Sequence, residues 1–338
     1  MIRQAVYNDI PNIMKFIDTY WKKNHILAAD RDFFEYEYYV NGDVNFIISL
    51  DEENHLEGIM GFIRYDRSHR DIINALWKVR DNVNKPMLGV QLLQYVIKNC
   101  ADRLVASPGI NIRTIPVYKY LKYYTDKMGH YYRLNSEYKD FKIAKIVNRN
   151  ILPCNTYYKL GLLKFNNFNE LADNFSFIEY TDKNIKPYKE SWYIKKRYFN
   201  HPYYHYEKYG IIDNEKGTCQ AILFFRKVAV GTRSCLRLVD IIGDYKQLKY
   251  VGRSIDKLIQ MYDCEYCDLY CTGVPEDVLK EAGFLDRYET NNIIPNYFEP
   301  YLQENIDIWY FTTDNRVVLF KADGDQDRPS IPRIDISL

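Results

Sequence analysis

The chain has 338 residues, with 46 Lys and Arg against 45 Asp and Glu and a net charge of +1. That length suits two domains of ordinary size, and the charge balance argues against a nucleic-acid footprint. Apolar residues make up 47% of the chain, enough for a packed core and too many for disorder. The 33 tyrosines fit either an AT-rich coding bias or a set of aromatic platforms for sugars.

In chain order, Ile2 to Val6 reads as a strand. Asp9 can cap the helix that follows, with Ile10, Ile13, Ile17 and Trp21 near one face. Asp30 to Tyr39 reads as an aromatic helix. Asn45 to Leu50 and Leu56 to Tyr65 read as strands around the polar turn Asp51-Glu52-Glu53-Asn54. Ile72 to Arg80 is a further strand. A turn over Asn82 to Met87 leads into a helix from Leu88 to Cys100, whose Leu88, Leu92, Leu93, Val96 and Ile97 suit packing on a sheet. Arg103 to Ala106 is a short strand, Ile115 to Tyr124 a helix, and Tyr131 to Leu134 a strand expected to close the first sheet.

From Pro187 the order recurs. A helix (Tyr188 to Phe199) precedes strands at Tyr206 to Ile212, Cys219 to Val230 and Ser234 to Ile242. A helix (Leu248 to Tyr262), a strand (Tyr266 to Cys271) and a helix (Pro275 to Ala282) follow. A hairpin, Ile306 to Phe311 with Arg316 to Phe320, is expected to end the packed part, before the polar tail Asp323-Gly324-Asp325-Gln326-Asp327-Arg328-Pro329. The expected domains are 1–140 and 187–338, joined by a crossover over 141–186.

No apolar run reaches the ~18 residues of a membrane span. The opening Met1-Ile2-Arg3-Gln4-Ala5-Val6 lacks an apolar signal region, so the expected location is the cytosol, with reduced cysteines. Cys264, Cys267 and Cys271 lack a fourth ligand at finger-type spacing and read as buried thiols, with no metal.

Three local features make the first half similar to the GNAT superfamily, the CoA-dependent N-acyltransferases. They are Ile2-Arg3-Gln4-Ala5 with Asp9 and Ile10, the stretch Lys85-Pro86-Met87-Leu88-Gly89-Val90-Gln91-Leu92-Leu93, and Asn111 followed after six residues by Tyr118. The recurrence at about 187–320 resembles a tandem arrangement. The resemblance implies an α/β fold of two GNAT-like domains, each a mixed, mostly antiparallel sheet flanked by helices. The chain as a whole resembles bacterial acyltransferases that modify amino sugars for surface polysaccharides.

The residues support that chemistry directly. A helix start offers free N–H groups and partial positive charge to a pyrophosphate, here at Leu88, Gly89 and Val90. Gly89 permits close backbone approach, and Lys85 offers a counter-charge. The family usually has more than one glycine in this loop, a point of departure here. By the resemblance, Asn111 binds the pantetheine arm, and Trp77 to Arg80, including Val79, pairs its main chain with it. Tyr118 can protonate a departing thiolate. The competing reading of Tyr118 is one tyrosine among many.

An acceptor amine must lose a proton, and His25, Asp240 and His205 are the candidate bases. His130, His201, Asp30 and Asp244 lie in similar polar settings. No nucleophilic cysteine context is present, which favours direct transfer. In the second half Gly252 persists in the loop, but Leu279 stands at the tyrosine position and nothing matches Asn111. The second domain is therefore expected to be degenerate and to shape acceptor binding. The leading function is transfer of an acyl group from acyl-CoA to an amino sugar on a nucleotide. The alternatives are an aminoacyl transferase using charged tRNA to build peptidoglycan bridges, and a non-catalytic ligand-binding protein.

Overall fold

The computed structural model describes residues 1–67, 71–154, 159–177 and 186–332. The chain forms two compact units. The first comprises Met1–Asp126, Trp309–Asn315 and the chain from Asp323. The second comprises Lys127–Ile308 and Arg316–Ala322.

The sheet of the first unit has the order Ile2–Gln4, Phe46–Leu50, Leu56–Arg64, Ile72–Val79, Val105–Pro108, Trp309–Thr312, Tyr124–Lys127. The sheet of the second has the order Leu160–Lys164, Glu207–Asp213, Thr218–Val230, Arg233–Gly243, Tyr266–Thr272, Gly129–Leu134, Leu285–Asp286. The two lists follow one plan. An antiparallel run of four strands meets a fifth in parallel, at Ile72–Val79 with Val105–Pro108 and at Arg233–Gly243 with Tyr266–Thr272. The sixth strand of each sheet pairs antiparallel with the fifth.

The sixth strands differ from the expected assignment. Gly129–Leu134 does not close the first sheet but pairs with Tyr266–Thr272 in the second. Trp309–Thr312 pairs with Val105–Pro108 in the first, while Leu319–Phe320 pairs with Tyr266–Thr272. The expected terminal hairpin is thus two strands in two sheets. Each segment alternates as a strand should, but alternation states that a segment pairs, not with what. The crossover over 141–186 is also revised. It holds the edge strand Leu160–Lys164 and the helix Phe168–Asn174, whose Leu171 is buried; residues 155–158 and 178–185 lie outside the described residues. The polar tail is packed too. Asp323 and Asp327 are buried, Tyr65 donates to Asp323 at 2.9 Å, and Arg328 pairs with Glu37 at 2.6 Å. Partnered charges can be buried where lone ones cannot.

Each sheet carries its longest described helix on one face. Leu88–Asn99 buries Leu88, and packs Leu92, Leu93 and Val96 against Ile47, Met60, Phe62 and Ile72. Gly252–Met261 buries Ile255, Leu258 and Ile259. Each such side chain contributes about 1.5–3 kcal/mol on burial. No described helix is long and apolar enough to cross a membrane.

The second unit buries charge in its sheet. Arg237 donates to Asp268, and His130 lies 3.2 Å from the same carboxylate while stacking on Tyr270. Burial lowers the His130 imidazole to about 4, although Asp268 works the other way. In the first unit, burial likewise lowers His25 to about 4, helped by Lys22. An unfolded imidazole titrates near 6.5. Between these values the unfolded chain binds more protons, so stability is fully present above pH 6.5 and falls as pH drops toward 4. Each imidazole should contribute up to about 3 kcal/mol of that loss. Melting temperature measured from pH 7.5 to 4.5 should decline from about 6.5 downward; a flat profile to pH 5 would show that both rings take up protons freely in the fold.

Candidate active site

Each sheet opens at its parallel join, and the opening has a local cause. In the first unit Phe62 pairs with Asn74 but Gly61 pairs with Leu76, so Ala75 is an extra residue, a bulge. Pairing with Val105–Pro108 is registered only at Ile72 and Ile73. Ser107 Oγ donates to the Asn74 carbonyl at 2.8 Å, at the point of the V. Beyond it Arg80 N–H donates to Glu57 C=O, and alternation then turns Leu76 and Lys78 the same way. The peptide groups of Trp77 and Val79 face the open side, where no described strand pairs with them.

The helix start stands beside this opening. Met87 precedes it at φ 65° with its side chain exposed. Leu88 N–H reaches Lys85 C=O at 3.3 Å and Gln91 N–H reaches Met87 C=O at 3.0 Å. The N–H groups of Gly89 and Val90 have no described backbone partner, as expected of a first turn. A Cβ at Gly89 would lie 2.9 Å from Trp77 Cζ2. The glycine is therefore required by the indole of the open strand, a reason sequence alone did not supply. Lys85 is not a free counter-charge: its Nζ sits 2.6 Å from buried Glu57, which also accepts from Ser49.

Asn111 uses its side-chain oxygen to cap the turn Ile112–Thr114 by accepting from Arg113 N–H at 3.0 Å. Thr114 Oγ1 donates to Asn111 C=O at 2.6 Å. The Tyr118 ring stacks on Phe311 at 4.1 Å and tilts toward Trp77 at 6.0 Å. Burial raises its phenol well above the usual value, so it stays protonated at any physiological pH. Trp77, at the edge of the V, thus touches both the Gly89 turn and the buried Tyr118 ring. Thr114 and Phe311 were not singled out from sequence; Phe311 could not be, because it arrives from the far end of the chain.

Of the candidate bases, only His25 lies in the first unit, and no described contact brings it to this group. His25 caps the helix Ile26–Ala29, its Nδ1 accepting from Leu27 N–H at 3.3 Å, and its imidazole near 4 is a poor base at neutral pH. Asp240 belongs to the second unit and is fully buried. Lys189 donates to both its oxygens at 2.8 and 2.7 Å, and Tyr198 and the Ile241 amide donate as well. Its lone pairs are committed to structure. His205 is exposed beside Glu207 at 3.4 Å in the same unit. Cys267 and Cys271 are buried thiols raised by that burial.

The second unit has the same V but fills it. Phe225 pairs with Leu238 and Phe224 with Asp240, so Val239 bulges where Ala75 does in the first. Leu319 and Phe320 pair with Thr272 and Cys271 on one arm, and Ala322 N–H donates to Val239 C=O on the other. Its helix start is closed as well. Val251 and Gly252 are buried, and a Cβ at Gly252 would lie 2.3 Å from Ala282 C=O. Leu279, at the tyrosine position, is a core residue.

No family model and no curated protein matches the chain. Solved structures do. A GCN5-related N-acetyltransferase from Anabaena variabilis is 11% identical, with 92% of this chain and 72% of that one covered and a TM-score of 0.57. Another from Kribbella flavida is 8% identical, covering 92% and 70% at a TM-score of 0.54. The fold is that of the GCN5-related N-acetyltransferases. At these identities the likeness is one of architecture, and it spans more of the chain than either unit alone supplies.

Proposed function

We propose that the chain is an acyl-CoA-dependent N-acyltransferase, with a GNAT-like first unit that holds the CoA and a degenerate second GNAT-like unit given over to acceptor recognition. The observation that supports this most is the V of the first unit, unfilled among the described residues, which joins peptide groups at Trp77 and Val79 without a described partner to the helix start at Gly89 and Val90. A pantetheine arm needs the former and a pyrophosphate the latter. Tyr118 lies beside both.

In this reading Trp77 and Val79 orient the thioester and the acceptor nitrogen attacks its carbon. The C–N bond forms, the C–S bond breaks with its electron pair going to sulfur, and Tyr118 gives the thiolate a proton. The proton lost by the amine passes to solvent, from which Tyr118 is restored. The proposed acceptor is an amino sugar carried on a nucleotide, in keeping with a cytosolic enzyme of surface-polysaccharide synthesis.

Calorimetry with CoA, followed by thiol-release assays of acetyl-CoA with nucleotide-linked amino sugars, tests the reading. Expected are CoA binding and thiol release that depends on the amino sugar. Absence of CoA binding would sink it. The stoichiometry is informative by itself. Because Leu319–Phe320 fills the second V and Gly252 is covered, one CoA should bind per chain. A clean value of two would show that the second unit opens.

A further inference from the structure

Asn74 is 4% exposed, and among the described residues neither its Oδ1 nor its Nδ2 has a hydrogen-bond partner. Leaving a buried carboxamide unpaired is costly, and natural folds rarely keep one without a use. Its position is specific. It precedes the Ala75 bulge, at the point where the V opens. It pairs with Phe62, so its side chain rises from the face of the sheet that packs Met60, Trp77 and Tyr118. The sheet itself does not need an amide there. The corresponding residue of the second unit, one before the Val239 bulge, is Leu238, buried in the core beneath the filled V.

We propose that the Asn74 carboxamide is held unpaired in order to receive the reacting thioester. The assignment rests on the acyltransferase reading above. The chemistry of the match is particular. As the acceptor nitrogen bonds to the thioester carbon, the carbonyl electron pair moves to oxygen. Asn74 Nδ2–H donates to that oxygen, and Oδ1 accepts from an N–H of the attacking nitrogen. Collapse returns the pair, breaks the C–S bond and sends the proton of Tyr118 to sulfur, while the extra proton on the nitrogen leaves to solvent, from which Tyr118 is restored. A carboxamide offers a donor and an acceptor side by side, which the intermediate requires and a leucine or carboxylate lacks.

The test uses the full chain, with CoA and acetyl-CoA as calorimetric probes, and Asn74→Leu beside the wild type. Because Leu removes an unpaired polar group and copies Leu238, the variant should melt about 2–4 °C higher. It should bind CoA as the wild type does and lose about five- to tenfold of the preference for acetyl-CoA over CoA. A variant that melts lower, or one that keeps the acetyl-CoA preference, overturns the assignment while leaving CoA binding intact. A wild type that binds neither probe overturns the acyltransferase reading instead, so the two failures are told apart. Asn74→Asp, which keeps the shape and replaces the donor by a second acceptor, should lose the preference without the gain in melting temperature.

Discussion

Tyr118→Phe is expected to slow the chemical step by about 10²-fold, within the usual range for a general acid, while CoA affinity stays the same. The substitution keeps the ring on Phe311 and near Trp77, so packing is retained. It removes only the hydroxyl, and Thr114 keeps its bond to Asn111 C=O at 2.6 Å. Burial holds the phenol protonated above its ordinary range, so this group imposes no loss of rate as pH rises to 9. Single-turnover measurement is needed, because slow product release would hide a change in chemistry. A wild-type single-turnover rate would make Tyr118 a packing residue of the aromatic cluster. Loss of CoA affinity together with rate would make it a binding residue.

What the sequence disclosed follows from what each signal encodes. The helix Leu88–Asn99 was legible because a stripe of Leu88, Leu92, Leu93 and Val96 has one period and one buried face. The central strands were legible for the same reason. The membership of Gly129–Leu134 and Trp309–Thr312 was not, since each pairs with a strand more than a hundred residues away in the chain, and hydrophobic alternation has no memory of its partner. The proposed site was read from sequence through Gly89, Asn111 and Tyr118. It was not legible in its reasons. Gly89 is set by the Trp77 ring, and the V depends on Ala75, whose bulge shows only in the register. Asn74 did leave a mark, as the one amide within Ile72-Ile73-Asn74-Ala75-Leu76-Trp77. A polar residue in a buried strand invites a search for its partner, and here the search ends at an opening.

The second large effect is expected at Gly89. Gly89→Asp should weaken CoA binding tenfold or more, about 1.4 kcal/mol. Two forces act at this position and can be separated. An acidic side chain in the first turn of a helix is favourable to the helix itself. The carboxylate would therefore not unfold the Leu88–Asn99 helix, but would occupy the positive end that a pyrophosphate needs and repel what comes near. The added Cβ acts differently, since it would stand 2.9 Å from Trp77 Cζ2 and must displace the indole from the mouth of the V. Gly89→Ala brings the Cβ without the charge. If anion binding at the helix start dominates, the alanine variant should keep most of the affinity and the aspartate variant should not, with the gap narrowing as salt is raised. Equal losses in both would assign the effect to the Trp77 contact. Unchanged affinity in a folded Gly89→Asp would place the pyrophosphate elsewhere and leave the open V of the first unit without its proposed occupant.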